Sequence, residues 1–526
     1  MQEGDNNTKF FHAQASQRKK ANTIMGLRHS DGSWKTELSD IEQLTSDYFS
    51  QLFASSNLAQ VDEVVRCVDK VVTPQMNEDL IRPYSKDEVR AALFQMHPSK
   101  APEPDGMSPL FFQKYWSIVG EDVCAAVLDC LHSSRMLKAI NFTHIALIPK
   151  VKNLDNLSQY RPINLCNVLY RIVAKVIYNR LKKVMPFIIF DSQGSFVPGR
   201  LITDNILVAY ELLHTMKQKR KGGKKHVAIK LDMSKAYDQV EWNYLKAVML
   251  KLGFHSKLID LIMECVSTVS YSILIGEEPV GRVVPGRGLR QGDPLSPYLF
   301  LLCAEGLSSL LRKAKAENLI SGMAVSRHGP IVSHLFFADD SLLFYKASVE
   351  ACEFLKEVLN VYGRASGQRL NEEKTGLFFS NNTNEMTRSS IQRVFGAPRN
   401  SNIGKYLELP SLVGRDKRKV FEDIKTRVWQ KLQGWKSKLV SQAGREILIK
   451  VVVQAIPSYA MSVFRLPFGL CDELERMVQS FWWGQKNQER KMHWMKWSKM
   501  CKSKWYGGMG FRDTRLFNQA LLACQC

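Results

Sequence analysis

Three acidic residues stand where chemistry could happen: Asp232, closing Ala228-Ile-Lys-Leu-Asp232, and the adjacent Asp339 and Asp340 within Leu335-Phe-Phe-Ala-Asp-Asp-Ser-Leu-Leu-Phe344. Each follows an apolar run, so each carboxylate would project from a strand end. Unneutralised carboxylates held within a few ångströms repel and raise one another's pKa, so a cluster of three calls for a cation. Hard oxygen ligands beside substrate phosphates suit Mg²⁺, with Mn²⁺ as its substitute. Two such ions roughly 3.5 to 4 Å apart would activate a hydroxyl and stabilise a leaving phosphate in an in-line displacement. Asp232 and Asp339 are assigned the metal-bridging part and Asp340 the supporting one, with the Met233 carbonyl as a further oxygen ligand. A lone Asp-Asp turn carries little by itself, because Asp is a common turn residue.

The elements that must position these groups follow from periodicity. Val227, Ile229 and Leu231 alternate with Ala228 and Lys230, the period of a strand ending at Asp232. Ser234 is expected to cap a helix running through Tyr237, Val240 and Tyr244. Apolar residues on both sides of Ala338-Asp339-Asp340 predict a hairpin with the two carboxylates at its turn. Between the two acidic stretches lies Gly288-Leu-Arg-Gln-Gly-Asp-Pro-Leu-Ser-Pro297, a loop expected to lead into a helix started by Pro294. Further upstream, Ser85-Lys-Asp-Glu88 reads as a capping box for a helix through Val89, Leu93 and Met96. Ile41, Leu44, Tyr48 and Leu52 have helical spacing, and Ile145 to Pro149 reads as a short strand.

The charge points to the partner. Lys and Arg outnumber Asp and Glu by 73 to 51, a net charge of +22, so the folded chain should attract polyanions: nucleic acid first, an anionic membrane second. Eleven cysteines are scattered without C-x-x-C pairs and read as reduced thiols. Met1 to Thr8 is polar and acidic, so no secretory signal is expected. The longest apolar run, from Pro297 to Leu311, is interrupted by Glu305 and falls short of the ~20 residues that span a bilayer. The basic run Lys217 to Lys225 reads as a solvated loop or as a grip on a phosphate backbone. Val420, Ile424, Val428 and Leu432 repeat every four residues opposite Lys419, Lys425, Arg427 and Lys431, a helix that packs on one side and faces phosphates on the other. Seven of the ten tryptophans follow residue 428; at this spacing they read as core, with base stacking as the alternative.

In combination the motifs resemble the reverse transcriptase of a plant non-LTR (LINE-type) retrotransposon. They run from Gly4-Asp-Asn-Asn-Thr-Lys-Phe-Phe-His12 to Gly507-Gly-Met-Gly-Phe-Arg512. Between them lie Ile148-Pro-Lys150, Tyr160-Arg-Pro-Ile-Asn-Leu165, Gln193-Gly-Ser-Phe-Val-Pro-Gly-Arg200, Arg290-Gln-Gly-Asp-Pro294, Phe337-Ala-Asp-Asp340, Ser366-Gly-Gln-Arg-Leu-Asn371 with Lys374, and Lys405-Tyr-Leu407. The resemblance implies an α+β right-hand polymerase: a leading segment over 1–85, fingers over 86–225, a palm with an antiparallel sheet over 226–410, and a helical thumb over 411–526. It implies RNA-directed DNA synthesis on an RNA template, from a DNA primer or target DNA, with deoxynucleoside triphosphates. Lys150 and Arg161 would grip the triphosphate, and Tyr237 would crowd the sugar 2′ position. Gln291 and Gly292 would lie against the nascent base pair, and Lys374 would assist the pyrophosphate. Arg200, Arg290, Lys405 and Tyr406 are expected to contact nucleic acid. A nuclear location and a soluble chain follow in the same way.

Two positions depart from that family. Glu103 and Glu408 stand where it usually has glycine, so strain and an added negative charge are expected there, and Glu408 lies in a hairpin expected to hold the primer. The full element would also carry an endonuclease before this segment and often a zinc-knuckle or ribonuclease H region after it, so the chain is expected to be a fragment. The competing readings are a non-catalytic nucleic-acid-binding remnant and a two-metal nuclease. The nuclease is disfavoured because Tyr237 and the Arg290 to Pro294 loop answer a nucleotide-binding need that hydrolysis lacks.

Overall fold

The computed structural model describes residues 16, 19, 22–29, 31–56, 60–98, 104–151, 154–219, 223–276, 278–326, 328–398, 403–414, 416–436, 440–484 and 492–525. The Gly4 to His12 motif and Glu103 lie outside the described residues. The chain divides into two compact units, the first of residues 1–200 and 221–401, the second of 201–220 and 402–526. The helix Ile202–Gln218 therefore groups with the C-terminal part of the chain.

Unit 1 mixes helices with sheets. Its strands are β1 (Leu27–Arg28), β2 (Trp34–Lys35), β3 (Phe142–Pro149), β4 (Tyr160–Cys166), β5 (His226–Leu231), β6 (Met233–Ser234), β7 (Ser270–Ile275), β8 (Glu278–Val283), β9 (His334–Phe337), β10 (Asp340–Lys346), β11 (Arg369–Leu370) and β12 (Gly376–Phe379). One four-stranded sheet has the order β4-β3-β7-β8, with β3 and β7 parallel and the other pairs antiparallel. Thr143, Ile145 and Leu147 of β3 are buried in alternation, so one face of that sheet carries the core. The second sheet has the order β12-β5-β10-β9 and is antiparallel throughout. Val227, Ala228 and Ile229 of β5 are all fully buried, because this strand is central and covered on both faces.

The capping box at Ser85 and Glu88 is formed, starting the helix Lys86–Phe94. Glu88 also receives two hydrogen bonds from the buried guanidinium of Arg180, which ties that helix to Val168–Ile188. Three sequence expectations shift. The residues after Asp232 form the two-residue strand β6 and a turn, and the helix begins only at Trp242, so Ser234 pairs with Arg369 and caps no helix. The ladder to β11 supplies the hydrogen bonds a helix start would have claimed. The helix after the glycine loop is Ser296–Ala316, with Pro297 in its first turn in place of Pro294. The apolar stripe of the helix Leu38–Phe53 is also displaced: Ile41, Thr45, Phe49 and Phe53 are buried, leaving Tyr48 and Leu52 on the flank.

Unit 2 is helical, apart from β13 (Lys405–Tyr406) and β14 (Leu409–Pro410), and includes Glu422–Lys436, Phe468–Trp482 and Thr514–Ala523. Ile424, Val428 and Leu432 are buried as their spacing predicts. The tryptophans divide: Trp482 is core, whereas Trp494 and Trp505 are exposed. The cysteines described are free thiols. Among the described residues no helix is long and apolar enough to cross a membrane.

Glu305, on the buried face of Ser296–Ala316, accepts the backbone N–H of Phe190 at 3.2 Å and an Arg312 guanidinium N–H at 3.2 Å. Burial nevertheless pushes its carboxyl from the usual 4.5 up to about 7. Below pH 4.5 the group is protonated in folded and unfolded chains alike and burial of its charge costs nothing. As pH rises towards 7 the unfolded chain ionises first and stability falls, with the full loss above pH 7. The stability gap between Glu305→Gln and wild type, measured by urea denaturation, is therefore expected to move about 2 to 3 kcal/mol in favour of the variant from pH 4.5 to 8. A gap that does not change with pH would show that Glu305 does not titrate in this way.

Candidate active site

The site starts from strand register. β10 pairs with β5 as far as Ser341 opposite Leu231, and Asp340 and Asp232 are the next residues of the two segments at that end. β9 and β10 close at Phe337 and Asp340, leaving Ala338 and Asp339 as a two-residue turn. Ala338 has φ of 54° and Asp339 does not share that sign, the pattern of a II′ turn, in which the first position favours glycine. Asp339 is thus exposed at the tip of the hairpin, beside the end of β5. On the other flank, the Asp232 carbonyl accepts the Asn371 N–H at 2.9 Å, continuing the β6–β11 pairing.

A cavity of about 760 Å³ opens over these strand ends. Asp232, Met233, Tyr237 and Asp339 line it together with Lys150, Arg161, Gln291, Gly292 and Lys374, so residues chosen from six separate stretches of sequence meet at one place. Asp340 is not among the lining residues; its carboxylate lies 4.0 Å from Lys230 Nζ. Lys374 Nζ is 3.4 Å from the Asp232 carboxylate. Burial lowers the pKa of Lys150, against the pull of Asp238. Tyr237 stacks on Phe300 with ring centres 4.8 Å apart, and its carbonyl accepts the Leu289 N–H, so the ring is held fixed. Burial, reinforced by the charge of Asp339, pushes its phenol well above the usual range.

Among the described residues no three His, Cys, Asp or Glu side chains gather closely enough to form a complete cage for a metal ion. Two hard carboxylates facing one polar cavity, one of them already drawing the Lys374 ammonium, fit a cation that completes its shell with substrate phosphate and water. Mg²⁺ commonly binds in that way, through one or two carboxylates.

The loop after Gly288 departs from expectation in one respect. Arg290 is buried: it donates to Asn141 Oδ1 at 2.6 Å and to the Cys265 carbonyl at 2.8 Å, pairs with Asp293 at 3.3 Å and lies 3.8 Å over the Tyr170 ring. Its side chain is 2% exposed, which corrects the expectation of a nucleic-acid contact. Asp293 in turn accepts from the Tyr170 hydroxyl and the Leu295 N–H, so the loop is built on a closed buried network. Gly292 has φ of 114°, and a Cβ there would meet the Asn164 carbonyl oxygen at 3.1 Å, so its small size is set first by the passage of β4.

Three other expected contacts also meet protein. Arg200 donates to the carbonyls of Ile189, Phe190 and Gln193 and pairs with Asp191, so its guanidinium serves the 189–193 loop. Tyr406 is 2% exposed within unit 2. Lys405 pairs with Asp423. The β13–β14 hairpin turns through Leu407 and Glu408 with φ of 47° and 63°, both left-handed as in a I′ turn, where glycine carries no Cβ penalty.

Sequence reasoning missed Tyr48, Lys235 and Asp238 in the cavity wall. Lys235 lies 4.4 Å over the Tyr48 ring and donates to its hydroxyl. Asp238 is nine-tenths buried; burial raises its carboxyl to about 6, against the pull of Lys235, the Gln291 amide and Lys150. Asp238 could have been found, since it ends the stretch Asp232-Met-Ser-Lys-Ala-Tyr-Asp238 that also holds Tyr237. Tyr48 could not, because it is distant in sequence and its spacing reads as core.

Comparison with known proteins places this geometry. Residues 148–408 match the family model for reverse transcriptase (RNA-dependent DNA polymerase). An uncharacterized 149 kDa protein of transposon TX1 from Xenopus laevis is 26% identical over 93% of this chain, and the match covers 36% of that protein. The retrovirus-related Pol polyprotein of a type-1 R2 retrotransposable element from Popillia japonica is 26% identical over 56% of the chain and 39% of its own length. An uncharacterized mitochondrial protein of Arabidopsis thaliana is 54% identical over 13% of the chain and 56% of its own length. The chain thus spans little more than a third of the two transposon proteins.

Breaking a buried, hydrogen-bonded charge network is costly, so Arg290→Ala is expected to destabilise unit 1 by about 3 to 5 kcal/mol in urea denaturation. Wild-type stability with weakened RNA affinity would restore Arg290 as a template contact. Relief of a left-handed residue makes Glu408→Gly more stable by about 1 kcal/mol, read as a rise in the thermal midpoint. A midpoint that falls would mean Glu408 is not strained.

Proposed function

We propose that this chain, which carries a reverse transcriptase domain over residues 148–408, is an RNA-directed DNA polymerase adding deoxynucleotides to a primer 3′-hydroxyl. The observation that carries the reading is that Asp232, just past the end of β5, and Asp339, in the β9–β10 turn, open onto the cavity that Lys150, Arg161 and Lys374 also line. Two carboxylates ringed by cations answer the needs of triphosphate chemistry, where charge neutralisation and positioning do most of the work. We read β5, β9, β10 and β12 as the palm sheet, the segments around Lys150 and Arg161 as fingers, and the helices of unit 2 as the thumb.

In this mechanism Lys150 and Arg161 hold the triphosphate oxygens through charge-assisted hydrogen bonds. The primer oxygen forms a bond to the α-phosphorus as the bond to the leaving pyrophosphate breaks, and the hydroxyl proton passes to water. A divalent cation such as Mg²⁺, held by Asp232, Asp339 and the Met233 carbonyl, would supply the charge that acidifies the hydroxyl and neutralises the pyrophosphate. Lys374, beside Asp232, stands where it can hand a proton to the departing pyrophosphate. Tyr237, fixed against Phe300, presents a rigid wall to the sugar and disfavours a 2′-hydroxyl. Gln291, bonded to Asp238, shapes the floor on which the new base pair rests.

The +22 net charge suits an RNA template and a DNA primer or target. We infer a non-LTR element of a plant genome, a reading supported by the transposon relatives and by short matches in Arabidopsis thaliana, and propose, from the resemblance of its motifs alone, that it acts in the nucleus. A second reading, a nucleic-acid-binding remnant without catalysis, draws on Glu408. Its anionic side chain is exposed at the tip of a hairpin whose role would be to hold the primer.

Primer extension by the purified chain on an RNA template with deoxynucleotides and Mg²⁺ separates the two. The wild type should extend, and Asp339→Asn should lose on the order of 10³-fold in rate, about 4 kcal/mol of transition-state stabilisation, with RNA affinity kept. A folded, RNA-binding wild type that extends nothing would sink the polymerase reading in favour of the remnant.

A further inference from the structure

The turn that carries Asp339 contains a conformation its own sequence does not favour. Ala338 takes φ of 54° at a position where glycine is usual, so something outside the hairpin must hold it there. The segment 189–195 lies along the edge of β9 and does so. The Phe336 N–H donates to the Ser192 carbonyl at 2.7 Å, the Gly194 N–H donates to the Phe336 carbonyl at 2.8 Å, and Gln193 forms a parallel bridge with Phe336. The Gln193 side chain then reaches past the strand end. Its Oε1 accepts the Ala338 N–H at 3.1 Å and the Ser195 N–H at 3.0 Å.

Gln193 is 3% exposed, and its Nε2 is buried with no hydrogen-bond partner among the described residues. An unpaired buried donor is unfavourable, and a methionine of the same length would fill the space without it. The amide is therefore poorly explained by packing, whereas its oxygen has a defined task at Ala338. The backbone of residue 193 is fixed in turn, since Arg200 donates to its carbonyl at 2.7 Å and its own N–H donates to Phe190.

We propose that Gln193 is a positioning residue that clamps the Ala338-Asp339 turn, and so holds the Asp339 carboxylate in the cavity where a divalent cation would bind. The inference rests on the polymerase reading above for the task of Asp339, though the clamp itself concerns metal affinity and can be measured without turnover. When the acceptor at Gln193 is lost, nothing outside the hairpin holds Ala338 at its positive φ and Asp339 leaves its place relative to Asp232.

The test compares Gln193→Met, which keeps length but loses the acceptor, with Gln193→Glu, which keeps an acceptor oxygen at the same distance. Mn²⁺ binding to the full chain with primer and RNA template is followed by electron paramagnetic resonance, and primer extension gives kcat and the KM for deoxynucleotide. Gln193→Met is expected to weaken Mn²⁺ binding about tenfold and to lower kcat about 10- to 100-fold. Its KM for deoxynucleotide should stay near that of the wild type, and Gln193→Glu should recover most of both losses. Wild-type Mn²⁺ binding in Gln193→Met, or equal losses in both variants, would overturn the clamp and leave Gln193 as packing. If Gln193→Met fails to fold, Gln193→Asn, one methylene too short to reach Ala338, takes its place with the same expected losses. A wild type that binds Mn²⁺ but extends no primer, with binding still lost in Gln193→Met, would support the clamp while removing the polymerase reading.

Discussion

The antiparallel register of β5 against β10 is the constraint on which the site depends. Ser341 opposite Leu231 ends the ladder with Asp340 and Asp232 as the next residues and leaves Asp339 at the tip of the adjoining turn, so carboxylates gather at one end of an otherwise apolar sheet. A slip of one residue would exchange the two faces of β5 and put Lys230 in a place now filled by the fully buried Ile229 or Leu231. Hydrophobic burial thus fixes where the negative charge goes. Like charges so placed need cations, and the chain supplies Lys374 beside Asp232 and Lys230 near Asp340.

Around that edge the fold uses two kinds of cation. Arg180, Arg200, Arg287 and Arg290 are committed to carbonyls and carboxylates of the protein itself, fixing loops that have no regular ladder. Arg287 pairs with buried Glu241 and grips the Leu52 carbonyl, which joins the end of the helix Leu38–Phe53 to the body of unit 1. Lys150, Arg161 and Lys374 instead line the cavity, where Lys150 donates to the Ser158 carbonyl and Lys374 pairs with Asp232. A guanidinium suits the first task, because it offers five donors in a rigid fork and satisfies several fixed oxygens at once. Burial and exposure, rather than charge alone, separate the scaffold from the site.

Much of this was legible in sequence where the signal is local. The strand leading to Asp232, the hairpin around Asp339 and the capping box at Ser85 are written in alternation and in fixed short spacings, and each is formed, though only Asp339 lies in the turn and Asp340 begins β10. The helix foreseen after Ser234 failed because residues 233 and 234 found a ladder with Arg369 and Leu370, a partner more than a hundred positions away. Helix propensity cannot anticipate a competing strand of that kind. Glu408 shows the reverse case: a glycine position occupied by glutamate foretold a left-handed backbone, and φ is 63°.

By itself, then, the sequence determined the types and local settings of the groups that meet in the cavity, because alternation and turn chemistry act over a few residues. Tertiary structure decided which charges face outwards. Arg290 and Arg200 look as available in sequence as Lys150 and Arg161, yet the first two end among buried or loop oxygens and the others line the cavity. It also decided that Tyr48 and Lys235 complete the wall and that Gln193 reaches the turn at Ala338. Those assignments depend on contacts between segments far apart in the chain, whose geometry exists only once the sheets and helices have packed.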